Sequence, residues 1–426
     1  MSYFRINIYL SVKIFFKSIF YLKNEEKQDR EINKSILKIS NKKKISLTSQ
    51  CRISFLLTLK YLKKKLPKKN EIVLCAYNLP EMTNIASNLN LKIIFCDLNY
   101  KTGFYDLSKL RKKLNKKTLA VVLTNMFNTY EQSVELKKIC KLKKISLIED
   151  NAIYFDNYKI KKNKKIYSGT VGDFSIYSFN IMKNISALYG GAVTSNNNDF
   201  HLYLNKESSK FKNFNKKVLF KQILIFFILK IMAIKILYKY VFFKIVKIIH
   251  VNNIRLFLKM FYPSLKFKVI KFPTYYFTNI SLFSKKLIFN QLLEKKKRID
   301  AHKKRKIKNI YYYNKFEKLD IDKINVIKII DFNYQNFLDF PIMVKDKFKL
   351  NSFLLHKGIE TRSYHYRNCE KIFYKKNKLF CLNSQKFENQ ILCLPNHSKI
   401  SFEYMDYIIN TIAAFYLNNK KKKYKD

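Results

Sequence analysis

The chain has 426 residues, 85 of them Lys or Arg and 30 Asp or Glu, for a formal net charge of +55. Its 48% hydrophobic and 16% aromatic content excludes a disordered polycation and supports one large domain plus a smaller one. The charge suits nucleic acid, an anionic membrane surface or phosphorylated substrates. An AT-rich coding sequence explains the same skew, because the lysines run through every segment while Gly and Pro number six each and Trp is absent. Seven cysteines (51, 75, 96, 140, 369, 381, 393) form no C-x-x-C pair, so no metal site is expected. Buried thiols in a reducing, cytoplasmic setting fit them better. No zinc-finger or RNA-binding signature is present, and no specific nucleic-acid partner is expected.

The N-terminal stretch 1–23 is apolar but interrupted by Arg5, Lys13 and Lys17, without a small-residue cleavage site. It predicts an amphipathic helix lying on the protein or on a membrane surface rather than a signal peptide. Residues 24–44 predict a polar loop leading into a short helix. A strand at Ile45–Leu47 then precedes a helix from about Gln50 to Leu66, with Ser49 as its N-cap. Apolar runs at Ile72–Ala76, Lys92–Cys96, Leu119–Leu123 and Ile145–Ile148 alternate with helices at Glu81–Asn88, Leu107–Leu114 and Ser133–Leu142. This alternation predicts a mainly parallel sheet with helices on both faces. Ligands in such sheets bind beyond the strand carboxyl ends, where Asp150 lies.

Two further strands, 174–179 and 191–195, bracket a loop carrying Lys183. Four of the six glycines (Gly169, Gly172, Gly190, Gly191) flank this loop, and they are expected to frame it. Residues 206–250 are apolar but broken by Lys221, Lys230, Lys235, Lys239, Lys244 and Lys247, too often for a membrane span. A helix lying on a membrane surface, or packed on the protein or a partner subunit, fits them. From about Pro273 the chain predicts a second unit: a basic helix at Asn290–Asn309, strands at Ile324–Ile330, Asn336–Val344 and Gly358–His365, and a helix at Lys345–His356. A turn at Cys393–His397 and a closing helix at Ser401–Tyr416 complete it. The expected division is an N-terminal basic segment (1–44), a large cofactor domain (45–205), a lysine-rich helical insertion (206–300), a small domain (301–420) and a basic tail (421–426).

A buried lysine can bond covalently to an aldehyde cofactor such as pyridoxal 5'-phosphate (PLP). That chemistry needs a carboxylate to keep the ring nitrogen protonated, and hydroxyls or backbone N–H groups to hold the phosphate. Asp150, Ser178 with the helix start at Cys51–Arg52, and Lys183 could fill these roles. The segments IED-x-A, SGTVGDFSIYSFNIMKN and GGAV resemble the DegT/DnrJ/StrS family of PLP-dependent sugar aminotransferases. In that family's pattern, an Asp after an apolar strand is followed by Gly-Asp, Ser-Phe-x-x-x-Lys-Asn and Gly-Gly-Ala. EIVLCAYNLPEM, KIIFCDLN, TSQCRISFLL, GIETRSYHY and LCLPNH resemble its flanking segments.

The resemblance implies a fold like that of aspartate aminotransferase: a mainly parallel sheet between helices, with a smaller α+β C-terminal domain. It implies PLP, bonded to Lys183 and held by Asp150, Ser178, Cys51, Arg52 and Tyr77. It also implies a homodimer and amino transfer, from glutamate, to a nucleotide-linked keto-sugar in cell-surface polysaccharide or lipopolysaccharide biosynthesis. The chain departs from the pattern at Cys51 (Gly in the family), Ile153 (His or Gln), Leu79 (an aromatic) and Tyr189 (often Glu). These departures keep open a catalytically degenerate homologue with a binding or scaffolding role, with peripheral membrane contact through 1–23 or 206–250.

Overall fold

The computed structural model describes residues 2–20, 24–252, 254, 272, 276–374 and 379–423. Pro273 and the end of the expected tail lie outside them. Helices α1 (Val12–Ile19) and α2 (Glu25–Ser40) precede β1 (Lys44–Thr48), α3 (Cys51–Lys65), β2 (Glu71–Cys75), β3 (Tyr77–Asn78), α4 (Pro80–Asn88) and β4 (Lys92–Cys96). Next come α5 (Leu107–Lys113), β5 (Thr118–Thr124), α6 (Tyr130–Leu142), β6 (Ser146–Asp150), the hairpin β7 (Tyr158–Lys161) and β8 (Lys164–Tyr167), β9 (Phe174–Ser178), β10 (Gly191–Ser195) and α7 (Asn198–Ser208).

The main sheet has the order β1-β10-β9-β6-β5-β2-β4. Strands β9, β6, β5, β2 and β4 are parallel, and β10 and β1 close one edge antiparallel. All five residues of β2, and all but the last of β5, are buried. Helices cover both faces of such a sheet, so its central strands read as unbroken apolar runs.

Two expectations near the N-terminus fail. Only Val12–Ile19 is helical. Phe4, Ile6, Ile8 and Leu10, spaced by two, are buried in a non-helical stretch of protein core. Residues 25–40 form a sixteen-residue helix rather than a loop with a short helix. Its many charges obscure Ile32, Ile36 and Ile39, which recur at helical spacing and are buried. At α3, Gln50 rather than Ser49 holds the N-cap position and makes no side-chain cap bond. The Ser49 hydroxyl instead lies 3.5 Å from the Tyr276 carbonyl.

Helix α8 (Lys216–Met232), the turn α9 (Lys235–Leu237), a π-helical turn at Tyr238–Phe242 and α10 (Phe243–Val251) follow. Phe226, Leu229, Met232, Tyr238, Phe243 and Val246 join a core with α1, α2 and α11 (Leu282–Leu293). None of the described helices is long and apolar enough to cross a membrane.

The C-terminal part builds on α12 (Lys295–Glu317), which absorbs Tyr311–Tyr313 and runs past the expected end at Asn309. The three-stranded sheet has the order β11-β12-β14, from β11 (Ile324–Val326), β12 (Asp339–Val344) and β14 (Ile391–Pro395). Two readings are corrected here. Strand β11 stops at Val326. Residues 358–365 are not a strand; their one backbone bridge to the sheet joins Arg362 to Cys393, and the Arg362 side chain also reaches Asp339 of β12. The third strand is the run read as a turn: Leu394 pairs with Phe340 and Leu392 with Ile342. Pro395 ends β14, where a residue without an N–H is tolerated. The remaining elements are α13 (Lys347–His356), β13 (Arg367–Asn368), α14 (Cys369–Tyr374), α15 (Leu382–Gln390) and α16 (Phe402–Lys423). Strand β13 pairs with β3, and one core cluster contains Val73 and Leu123 of the main sheet with Phe340 and Leu394 of the smaller one.

Candidate active site

Strand β6 places two acids side by side. Successive residues of a strand face opposite ways, so Glu149 and Asp150 do different work. Glu149 is wholly buried. It accepts hydrogen bonds from the N–H groups of Gly169, Val171 and Gly172 (2.9, 3.0 and 2.8 Å) and from Asn125 Nδ2 (2.9 Å). Gly169 has φ +94°, and a Cβ there would lie 2.0 Å from the Tyr177 hydroxyl oxygen. Two of the four glycines expected to frame the Lys183 loop therefore frame Glu149 instead, a structural carboxylate that the sequence reading passed over.

Asp150 ends β6 opposite Thr124 and Ile176. It is 6% exposed and accepts one hydrogen bond, from Ala152 N to Oδ1 at 2.9 Å. Burial pushes its carboxyl up; the Ala152 N–H and the positive charge of Lys183 pull it down.

Lys183 sits in the loop between β9 and β10. Phe179 N bonds Gly190 O (2.9 Å), Ala187 N bonds Phe179 O (2.7 Å), and Lys183 N bonds Asn180 O (3.0 Å). Gln291 of α11 grips Ser186 through both its N–H and its carbonyl, at 3.0 and 2.8 Å. Asn184 donates to Phe155 O (2.6 Å) and accepts from Arg305 (3.0 Å). Burial lowers the Lys183 pKa, opposed by Asp150 and Cys51 and reinforced by Arg362. Cys51 completes the cluster. Its thiol is pushed well up, by burial and then by Asp150 against Lys183 and Arg52, so it stays protonated.

The other two glycines belong to the site. A Cβ on Gly191 would lie 2.4 Å from Cys51 N, so only glycine lets β10 press against the start of α3. Ser178 pairs with Gly191 across β9 and β10, is 4% exposed, and its hydroxyl has no hydrogen-bond partner among the described residues. Arg52 turns aside: Nη1 lies 3.0 Å from Glu81 Oε1, and the guanidinium stacks 4.9 Å over the Tyr276 ring. Tyr77 is wholly buried, and its hydroxyl accepts from Tyr366 N at 3.1 Å. Ile153 packs against the core, and the Tyr189 ring lies 5.4 Å from Phe214.

Arg362, His365 and Tyr366 were given no role by sequence reasoning. Burial raises the Tyr366 hydroxyl, with Asp150 adding to it. Burial drives the His365 imidazole well down, followed by Arg362 and Lys183. The three residues sit in GIETRSYHY, so the segment was visible but its contacts were not.

The model of the DegT/DnrJ/EryC1/StrS aminotransferase family matches residues 26–219 and 289–413. The chain belongs to that family. Its cofactor is PLP, and the residues present fit it. A buried carboxylate with one hydrogen-bonded oxygen can meet a ring N–H, a half-buried lysine beside it can meet an aldehyde, and an unpartnered hydroxyl beside an uncapped helix start can meet a phosphate. The chain is 25% identical over 351 residues to the UDP-4-amino-4,6-dideoxy-N-acetyl-beta-L-altrosamine transaminase of Campylobacter jejuni, covering 80% of this chain and 77% of that one. Matches to an uncharacterized Methanocaldococcus jannaschii protein (28% identical) and to the GDP-perosamine synthase of Escherichia coli O157:H7 (30%) cover 38% and 28% of this chain. They span only 40% and 32% of those relatives.

The fold is that of Helicobacter pylori PseC, an aminotransferase involved in the biosynthesis of pseudaminic acid (TM-score 0.71, 15% identity, 98% and 100% of the two chains covered). It is also that of Escherichia coli GDP-4-keto-6-deoxy-D-mannose-3-dehydratase with bound hydrated PLP (TM-score 0.66, 18% identity, 96% and 100% covered).

Proposed function

We propose that the chain is an aminotransferase moving an amino group from glutamate to a nucleotide-linked keto-sugar, within cell-surface polysaccharide or lipopolysaccharide biosynthesis. The observation that carries this reading is the pairing of Lys183 with the buried Asp150 beside Ser178 and the start of α3. When bound, PLP supplies an electron sink. Lys183 Nζ would hold the cofactor covalently and would carry a proton to and from the reacting carbon; its lowered pKa favours the neutral amine that this needs. Asp150 keeps the ring nitrogen protonated. Ser178 Oγ and the N–H groups opening α3 hold the phosphate, with Cys51 and Arg52 at that helix start and Tyr77 behind Tyr366. A homodimer is part of the proposal, by likeness to the family.

A degenerate, non-catalytic homologue is the second reading. It is favoured by the side chain of Cys51 at the helix start and by the engagement of Arg52 with Glu81. Absorbance separates the two. Purified protein given PLP is expected to turn yellow, to bleach with borohydride and to shift its spectrum when glutamate is added, and Lys183→Ala is expected to stay colourless. Wild-type protein that takes up no PLP overturns the enzyme reading.

A further inference from the structure

We propose that the helical segment 216–251 docks on an anionic lipid bilayer surface, independently of the chemistry at Lys183. The family match breaks after 219 and resumes at 289, so most of this segment lies outside what the family model describes.

Helices α8 and α10 of the segment are apolar on both sides. The inner side, with Phe226, Leu229, Tyr238, Phe243 and Val246, is buried. The outer side is exposed yet apolar. In α8 it carries Phe220 (69% exposed), Leu224, Ile228 and Ile231 at spacings of three and four. Beyond α8 it carries Ile236 (69%), Tyr240, Ile245 and Ile248. The exposed side of α1 adjoins it: Phe16 (46%) lies 6.4 Å from Phe227, ring to ring. Exposed apolar surface on this scale marks an interaction face.

Charge selects the occupant. From residue 208 to residue 293 the sequence contains no Asp or Glu, whereas an even spread of the chain's 30 acids would put about six there. Lys221, Lys235, Lys239 and Lys244 stand exposed among the apolar side chains. Two copies meeting through this face would set cation against cation with no carboxylate between them. An anionic bilayer instead takes the apolar side chains about 5–10 Å into its headgroup boundary, while lysines reach out to the phosphates.

Vesicle cosedimentation tests the proposal. At about 0.15 M salt, the full chain is expected to bind phosphatidylglycerol–phosphatidylcholine vesicles at least tenfold better than phosphatidylcholine alone. Net charge by itself would also attract the protein to such vesicles, so the deciding variant keeps every lysine. The triple change Phe220→Ser, Ile236→Ser and Ile245→Ser is expected to lose at least tenfold in binding, whereas Leu142→Ser with Leu202→Ser, 82% and 60% exposed elsewhere, is expected to lose nothing. Because the chain has no Trp, Ile245→Trp adds a direct probe whose emission shifts to the blue with anionic vesicles. Equal binding by the triple variant and wild type overturns the proposal, as does an unshifted Trp. A dimer in sedimentation that the triple variant converts to monomer also overturns it, by assigning the face to a second copy.

Discussion

At the scale of single residues, the site depends on side chains that look alike in the sequence. Glu149 and Asp150 are neighbours in one apolar run, and only the facing of β6 turns Asp150 toward Lys183 and Cys51 and Glu149 to the backbone of 169–172. Replacing Glu149 with Ala leaves three N–H groups unpaired, those of Gly169 and Gly172 buried. The expected cost is about 3 kcal/mol or more, read as a fall in the denaturant midpoint. His397 carries a pH dependence. Its Nε2 donates to the Phe4 carbonyl at 2.9 Å, and burial lowers its pKa to about 4. Between roughly pH 6.5 and that value the unfolded chain takes a proton that the native state refuses, so stability falls as pH falls. The share from this one residue is up to about 3 kcal/mol. His397→Gln is expected to lose less stability than wild type between pH 7 and about 4.5. That Lys183 and Asp150 lie in one cluster was legible from the likeness of their segments to the family pattern, a lysine after Ser-Phe-x-x-x and an acid after an apolar strand. Arg362 and His365 were not, because nothing local marks a residue whose importance comes from a charge brought close by folding.

At the scale of elements, most of the main sheet was readable from its alternation of apolar runs and helices, and the misreadings share one cause. Where two patterns competed, the local one was chosen. Phe4, Ile6, Ile8 and Leu10 repeat every two residues, but the basic residues after them suggested a helix. In ILCLP the proline suggested a turn, although the four residues before it fit a buried strand, and the central pairing partner lay about fifty residues away in β12. The non-helical N-terminal stretch is fixed by charge as well as packing. Arg5 Nε lies 3.5 Å from Glu360, and Arg5 Nη1 lies 3.8 Å from Asp339, which also pairs with Arg362 at 3.2 Å. The Tyr238 hydroxyl donates to Glu360 as well. Arg5 and Glu360 are both nearly fully buried. Arg5→Met, which strands the glutamate, is expected to cost about 3–5 kcal/mol. Adding Glu360→Gln to that variant is expected to restore more than half, a coupling that a double-mutant cycle measures.

At the scale of the whole molecule, the two sheets do not close separate cores. Val73, Leu123, Phe340 and Leu394 share one cluster, and β3 pairs with β13 across the boundary between them. The site lies near this seam: Asp150 and Lys183 come from the large sheet, and Arg362 and Tyr366 from the chain after α13. The 206–300 region was legible as an interruption in the pattern, though not as one with an inner apolar side serving the core and an outer one left in the open.

The Phe4–Leu10 stretch has a further consequence, for the order in which the protein is made. It is synthesised well before two of its polar partners: Arg5 N bonds Glu360, 355 positions on, and Phe4 O receives His397, 393 positions on. Contacts this distant form late, because the loop between them must close first. During synthesis the apolar side chains of this stretch can meet core partners from α1, α2, α8 and α11 first, but the polar contacts of Arg5 and Phe4 wait for residues 360 and 397, which makes the stretch a natural binding segment for a chaperone until then.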